Sequence, residues 1–177
     1  MGIRFFSLSL VGVALASPVF AQESPQADRY HGALGLSMME AGDYKVNAWN
    51  VKAGRRFGET FGVELDVMGA GTKDIQGVNN IATKLRIKHG ATLFGSVSHT
   101  FGERLEVTAR AGYGLVAYDG RDATDTPFDD ESTGAAYVVS AQYFLTRRTG
   151  LRLDYSQIAL DDPDTLSGWT VSLVRNF

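Results

Sequence analysis

The 177-residue sequence has no cysteine, only 4 prolines and no marked excess of either charge, with 17 Lys and Arg against 20 Asp and Glu. The lack of cysteine excludes disulfides and thiolate metal sites. A net charge of −3 gives no electrostatic reason to expect a nucleic-acid partner. After residue 21, no run approaches the ~18 consecutive apolar residues that a transmembrane helix requires. These absences leave soluble β-proteins and membrane β-barrels open, since a barrel strand carries lipid-facing side chains only at alternate positions.

The start of the chain has the parts of a secretory signal peptide. Arg4 supplies a positive charge, residues 5–16 form a short apolar run, and a cleavage site with small residues follows at Ala21. The apolar run is too short to span a membrane stably, and polar residues follow it at once. The predicted organisation is a cleaved signal peptide at 1–21, a short periplasmic lead-in at 22–29 and one domain at 30–177.

From Tyr30 onward, apolar and polar residues alternate in short segments. Val63 and Leu65 share one face of such a segment, and Glu64 and Asp66 share the other. A period of two indicates β-strands, and tight charged turns that alternate with longer polar connections indicate an up-and-down meander. The predicted fold class is all-β, an eight-stranded antiparallel up-and-down transmembrane β-barrel. Its predicted strands are 30–39, 43–57, 61–70, 81–100, 105–118, 134–145, 150–159 and 168–177.

The longer connections are predicted at 72–80, 119–134 and 161–167, and all four prolines lie outside the predicted strands. Proline removes a donor from the strand ladder, and a closed barrel has no free edge to tolerate that loss. The placement of the prolines therefore favours a closed barrel.

Aromatic residues recur at the ends of the apolar faces. The pattern W-x-V-x-[AL]-x-R-x-F occurs at 49–57 and again at 169–177. At about 3.3 Å per residue and a tilt near 40°, its length spans roughly 20 Å of the membrane normal, close to the apolar band of such barrels. We therefore predict two interfacial girdles of aromatic side chains, with Arg55 and Arg175 reaching headgroups near the periplasmic end. The predicted interfacial aromatics are Trp49, Phe57, Phe101, Tyr113, Tyr143, Trp169 and Phe177.

The charged face of the strands is predicted to line the lumen. Four cations and four anions balance on it, as a narrow interior requires if it is to avoid a large desolvation cost. Pairing around the 58–60 turn also places Lys52 opposite Asp66. The predicted lumen charge network is Lys52, Arg56, Glu64, Asp66, Glu106, Arg110, Arg152 and Asp154. A lumen closed by these charges is expected to leak when Arg110 is removed.

Three stretches resemble one family of membrane proteins. Residues 143–155 look like a penultimate hairpin, 109–114 like a fifth strand, and Phe177 like the terminal aromatic residue of small outer-membrane barrels. That family includes the membrane domain of outer membrane protein A and outer membrane protein X. Arg175 departs from the family pattern, in which an aromatic or apolar residue is common. The resemblance implies residence in the outer membrane beside lipopolysaccharide, a monomer, and delivery by periplasmic chaperones to the barrel assembly machinery, which reads Phe177.

The sequence leaves the activity open among several classes. A non-enzymatic envelope protein that acts through its extracellular loops is favoured over a narrow porin-like channel, and no cofactor is expected. A lipid A-modifying enzyme needs a His–Ser pair on one face, whereas adjacent Ser98 and His99 point to opposite faces of a strand, and neither His31 nor His89 supplies such a pair. A soluble lipocalin-like binder would place the apolar face inward. Acidic residues in the long connections could hold divalent cations, but a solvated loop is favoured.

Overall fold

The computed structural model describes residues 8–10, 29–41, 44–70, 73–76, 82–121, 127–160 and 165–177. No helix long and apolar enough to cross a membrane occurs among these residues. The described strands are β1 (Leu8–Leu10), β2 (Arg29–Ala41), β3 (Tyr44–Phe57), β4 (Phe61–Ala70), β5 (Lys73–Gln76), β6 (Ala82–Phe101), β7 (Leu105–Arg121), β8 (Pro127–Phe144), β9 (Thr149–Leu160) and β10 (Thr165–Asn176).

Eight of these strands form a closed antiparallel barrel. The hydrogen-bonded order β2-β10-β9-β8-β7-β6-β4-β3 returns to β2, because β3 also pairs with β2. The last strand meets the first along a continuous ladder that includes Trp169 opposite Met38 and Asn176 opposite His31. The prediction of an all-β, eight-stranded up-and-down barrel is confirmed. Closure in such barrels satisfies main-chain donors and acceptors that an open sheet would leave unpaired in lipid. The β2–β3 pairs lie near the two ends of that seam, with Tyr30 opposite Arg55 and Ala41 opposite Tyr44.

Three tight turns define one end of the barrel, which we call the turn end. They lie at 58–60, 102–104 and 145–148, and the opposite end, where the longer connections lie, is the loop end. Gly58 and Gly102 take φ values of 65° and 63°, a left-handed conformation that glycine adopts without strain. Both Arg29 and Phe177 lie at the turn end, since Phe177 N–H donates to Tyr30 O at 2.9 Å.

The strands extend further at the loop end than predicted. β5 lies inside the connection predicted at 72–80 and pairs with β6, and β7 and β8 stay paired as far as Arg121 opposite Pro127. β10 likewise begins at Thr165, inside the connection predicted at 161–167. The predicted loop bounds are wrong because main-chain pairing continues into water, where both faces of a strand can be polar and the alternation stops.

The prediction that every proline lies outside a strand is wrong for Pro127, the first residue of β8. A proline is tolerated at the first residue of a strand, where its missing N–H removes little of the ladder. The other prolines, Pro18, Pro25 and Pro163, lie outside the described residues.

The short strand β1 falls within the predicted signal peptide. It pairs antiparallel with β2, with Leu8 opposite Met38 and Leu10 opposite Leu36. An extended apolar segment can add main-chain hydrogen bonds to a neighbouring strand in this way. Cleavage after residue 21 stays a prediction, as does the lead-in at 22–29, most of which lies outside the described residues.

Candidate functional site

The interior of the turn-end half holds a charge network, defined here as the eight predicted lumen residues together with His31. Period-two alternation in β3, β4, β7 and β9 turns all eight predicted residues inward. Six are almost fully buried in the structure: Lys52, Glu64, Glu106, Arg110, Arg152 and Asp154. The network is therefore an interior feature, shielded from lipid by the barrel wall.

Lys52 begins the network on β3. Its Nζ lies 2.9 Å from Asp66 Oδ2 on the neighbouring strand and donates to Asp154 Oδ2 at 2.8 Å across the lumen. Asn50 Nδ2 adds a hydrogen bond to Asp66 Oδ1 at 3.0 Å, and Asn50 in turn accepts one from Ser37. The contact with Asp66 follows from hairpin register, whereas the contact with Asp154 joins residues that are 102 positions apart.

Arg110 and Arg152 link the carboxylates of Glu64 and Asp154, which lie at the centre of the network. Arg110 bonds to Glu64 and donates from Nη2 to Asp154 Oδ1 at 2.7 Å. Arg152 donates from Nη1 to Glu64 Oε2 at 2.8 Å, and its Nε lies 3.4 Å from Asp154 Oδ1. His31 Nε2 reaches Glu64 Oε2 at 2.7 Å. Because each carboxylate meets several cationic groups, removing either would leave buried positive charge uncompensated.

The remaining pair lies nearer the turn end. Arg56 donates from Nη1 to Glu106 Oε2 at 2.7 Å, and the Arg56 side chain is 20% exposed whereas Glu106 is buried. A cavity of about 30 Å³ beside this pair is lined by Arg29, His31, Ser98 and other polar residues, and it has room for about one water molecule. Glu64, Arg110 and Arg152 line the same cavity, so it extends from this pair to the centre of the network.

Apolar side chains fill much of the loop-end half of the interior, beside buried polar residues such as Asn50, Thr92 and Ser132. Phe94, Met68, Val116 and Ile158 point inward from four different strands and are buried. The cluster, which we call the apolar layer, comprises Met39, Val46, Met68, Phe94, Val116, Ala136, Val138, Ile158 and Leu166. The Arg110 guanidinium carbon lies 5.7 Å from the centre of the Phe94 ring, so the apolar layer rests directly on the charge network.

Sequence reasoning missed the apolar layer, although a signal was present. Met68 is in phase with Glu64 and Asp66, and Ile158 is in phase with Arg152 and Asp154, so the inward face changes from charged to apolar along each strand. Reasoning from the sequence also missed His31 as a partner of the network, since nothing local connects it to Glu64.

The outer wall is apolar over most of its height, with Arg55 and Arg175 near the turn end. All seven predicted interfacial aromatics point outward and are exposed. Phe57, Phe101, Tyr143 and Phe177 lie near the turn end, and the others lie further up their strands. Trp49 and Phe57 are eight positions apart, and Trp169 and Phe177 have the same spacing. Further outward-facing aromatic residues absent from the prediction are Tyr30, Phe61 and Tyr137.

Within the described ranges, no hydrogen bond joins His31, His89 or His99 to a serine. His99 packs edge-on against Phe101 with ring centres 4.7 Å apart, whereas the hydroxyl of Ser98 lies inside the barrel and bonds to Thr108 at 2.8 Å. His89 is exposed on β6. Among the described residues, no group of three or more His, Cys, Asp or Glu side chains is placed to hold a metal ion.

Comparison with known proteins identifies the family to which this barrel belongs. The family described as "Outer membrane protein beta-barrel domain" matches residues 7–177. The chain belongs to this family. It is an integral protein of the bacterial outer membrane, its apolar wall faces lipid, and its turn end faces the periplasm. This membership sets aside the soluble lipocalin-like alternative.

Solved structures share the fold at low sequence identity. The chain is similar to Ail, the attachment invasion locus protein of Yersinia pestis, solved in complex with the heparin analogue sucrose octasulfate, at 14% identity and a TM-score of 0.61, covering 85% of this chain and 99% of that one. It is also similar to the N-terminal β-barrel domain of Pseudomonas aeruginosa OprF, at 12% identity and a TM-score of 0.63, covering 86% and 98%. The outer membrane protein OprG from Pseudomonas aeruginosa is similar at 11% identity and a TM-score of 0.64, covering 86% of this chain and 97% of that one. A search of curated proteins finds no match.

Proposed function

We propose that the protein is a sealed, non-enzymatic barrel that acts in the outer membrane through its loop end and does not conduct solutes. The observation that supports this most directly is the filled interior. The charge network occupies the turn-end half, and the apolar layer occupies the half above it. An eight-stranded barrel has an interior just wide enough for its own side chains, so this filling leaves little room for a water column.

The two layers resist permeation for different physical reasons. An ion crossing the charge network must displace an interlocked set of buried ion pairs, whose separation leaves charges uncompensated. An ion or water crossing the apolar layer must pass side chains such as Phe94, Met68 and Ile158, which offer it no hydrogen bonds. The alternative of a narrow channel requires both barriers to open together.

The loop end supplies the surface that would meet partners. The connections predicted at 119–134 and 161–167 carry nine Asp and Glu against the single Arg121. Such a surface favours cationic partners, either a basic polypeptide or a surface bridged by divalent ions. Ail was solved with a polysulfated ligand, and we expect these acidic connections to repel ligands of that kind. Contacts with lipopolysaccharide and recognition of Phe177 by the assembly machinery remain parts of the proposal.

Planar-bilayer recording tests the seal. We expect the wild-type protein, Arg110→Ala and Phe94→Ala each to show no steady conductance, because one layer still closes the barrel in each single variant. The variant with both substitutions should conduct. Arg110→Ala combined with Leu93→Ala is the matched control, because Leu93 lies next to Phe94 but points to lipid. A heat-dependent gel shift would verify that every variant still forms a closed barrel.

Two results would contradict the proposal. A large, steady conductance of the wild-type protein would show that the interior is a pore. Conductance of Arg110→Ala alone would show that the charge network is the only seal, as the sequence by itself suggested, and that the apolar layer contributes nothing to closure.

A further inference from the structure

The polar cavity in the turn-end half of the lumen, called here the turn-end cavity, has more cationic than anionic side chains in its wall. Its volume is about 30 Å³, enough for one water molecule or one ion of similar size. The carboxylates that line it are Glu64 and Glu106, whereas the arginines that line it include Arg29, Arg56, Arg110 and Arg152.

Arg29 adds a positive charge that the charge network does not balance. The eight predicted lumen residues are four cations and four anions, and each of those cations contacts a carboxylate. Arg29, at the start of β2, is exposed, and its side chain makes no ion pair with any described residue. With His31 neutral, the network and Arg29 together have one positive charge in excess. One monovalent anion in the cavity would balance it.

Buried donors in the same wall lack acceptors. Arg110 is almost fully buried, and its Nε–H has no hydrogen-bond partner among the described residues, although both of its Nη groups are bonded. Ser98 Oγ and Thr108 Oγ1 lie 2.8 Å apart, and both residues are buried. One hydroxyl proton is used between them, so the other has no acceptor in the described part of the chain. A bound acceptor would remove the cost of leaving these donors unsatisfied.

Donors in excess favour an anion over a water molecule in this cavity. Glu64 already accepts hydrogen bonds from Arg110 and Arg152, and Glu106 accepts them from Arg56. A water molecule would bring two further protons that need acceptors, whereas a chloride ion brings none. Hydrogen bonds from cationic donors to an anion are also stronger than those to a neutral acceptor. A polyatomic anion such as phosphate or sulfate exceeds the volume of the cavity.

We propose that the turn-end cavity is a binding site for a monovalent, single-atom anion, with chloride as the physiological ligand. Arg110, Arg56 and the Ser98–Thr108 hydroxyl pair supply the donors, and Arg29 supplies the balancing charge at the exposed side. The anion enters from the turn end and goes no further, because the apolar layer lies above the charge network. The site is therefore independent of the loop-end role proposed above, and it is not a conduction path.

Unfolding at different chloride concentrations tests the site. The wild-type protein is placed in lipid vesicles with the same salt on both sides, and potassium chloride is replaced stepwise by potassium gluconate, whose anion is too large for the cavity. Chloride that binds only the folded state should lower the unfolding equilibrium constant about tenfold for each tenfold rise in chloride above half-saturation. Urea unfolding followed by the heat-dependent gel shift measures this constant.

Filling the cavity separates binding inside it from general effects of salt. Ser96 lines the cavity, and Ser96→Val places two methyl groups where the wall has one hydroxyl, with every arginine kept. This variant should lose the chloride dependence. Ser132→Val is the matched control, because Ser132 is buried in the lumen but does not line the cavity, and it should keep the wild-type dependence.

A second pair of variants tests the balancing charge. Arg29→Gln should raise the half-saturating chloride concentration about threefold, a modest factor because Arg29 is exposed and water screens its charge. Arg104→Gln, which removes an exposed cation from a turn at the same end, should leave that concentration unchanged. If Ser96→Val fails the heat-shift test for folding, this pair decides.

Bromide, which is detected by its anomalous scattering of X-rays, locates the anion directly. Crystals of the wild-type protein grown in sodium bromide should show one anomalous peak in the turn-end cavity, and crystals of Ser96→Val should show none there. A cavity that holds only water in these crystals would overturn the proposal. So would a wild-type stability that does not change with chloride, or a chloride dependence that persists in folded Ser96→Val.

Discussion

The two halves of the lumen are filled by side chains of opposite character, charged in the turn-end half and mainly apolar in the loop-end half. In the turn-end half, buried charges fill the space and each carboxylate is shared between cations, as Asp154 is shared by Lys52, Arg110 and Arg152. In the loop-end half, Phe94 and its apolar neighbours fill the space without directed contacts. The charged half specifies which side chains must meet, whereas the apolar half requires only volume. Substitutions in the two halves should therefore differ in the unfolding free energy that they remove and in whether another side chain of similar volume restores it.

The largest loss of stability is expected from a substitution at the centre of the charge network, in the turn-end half. Glu64→Gln keeps the shape of the side chain but leaves Arg110 and Arg152 without the charge that they share. Loss of one partner from a buried ionic cluster costs about 3–5 kcal/mol of unfolding free energy. Urea unfolding of the protein in lipid vesicles, followed by the heat-dependent gel shift, would measure it.

Glu103→Gln is the control for this substitution, because Glu103 lies in an exposed turn and should change stability by less than about 0.5 kcal/mol. Equal urea midpoints for Glu64→Gln and wild type would mean that the central pairs add nothing to stability, and the contrast between the two halves would disappear.

A smaller loss is expected from the apolar half. Phe94→Ala removes a ring that is 3% exposed, whereas Leu93→Ala alters a neighbouring side chain that is 61% exposed on the lipid face. A buried aromatic residue replaced by alanine costs about 3 kcal/mol, and the cost depends on how far the surroundings collapse. Lipid can fill the gap left by Leu93, so its substitution should cost much less in the same unfolding experiment.

A smaller apolar side chain at position 94 tests whether the loop-end half requires volume alone. Phe94→Leu should recover most of the stability lost in Phe94→Ala, because the apolar half requires volume and few specific contacts. A Phe94→Leu variant as unstable as Phe94→Ala would show that the ring is needed for its contact with Arg110 and that the halves are not independent.

The smallest loss of stability is expected at the partly exposed edge of the charge network. Arg56 pairs with Glu106, but its side chain is partly exposed beside the small cavity. Arg56→Gln should cost about 1 kcal/mol, since solvent compensates part of the lost interaction. Comparing its urea midpoint with that of Glu64→Gln separates the effect of depth from that of charge. A loss as large as that of Glu64→Gln would indicate that the whole network acts as one unit.

Much of the fold is encoded locally and could be predicted. Alternation assigned Glu64 and Asp66 to one face and Val63 and Leu65 to the other, and the structure keeps that division. The short turn at 58–60 set the register that places Lys52 opposite Asp66. Both inferences depend on residues close in the chain, because side-chain direction in a strand has a period of two and a tight hairpin fixes the pairing.

The sequence by itself thus determined the barrel, the number of its strands and which face carries charge, since these follow from periodicity and turn spacing. Only the tertiary structure decided which charges meet, because Lys52 reaches Asp154 and Arg110 reaches Glu64 across the lumen after the sheet has closed. It also decided that the interior is apolar above the charges, where residues from separate strands such as Phe94 and Ile158 come together. Strand tilt and stagger set these long-range contacts, and no local pattern records them.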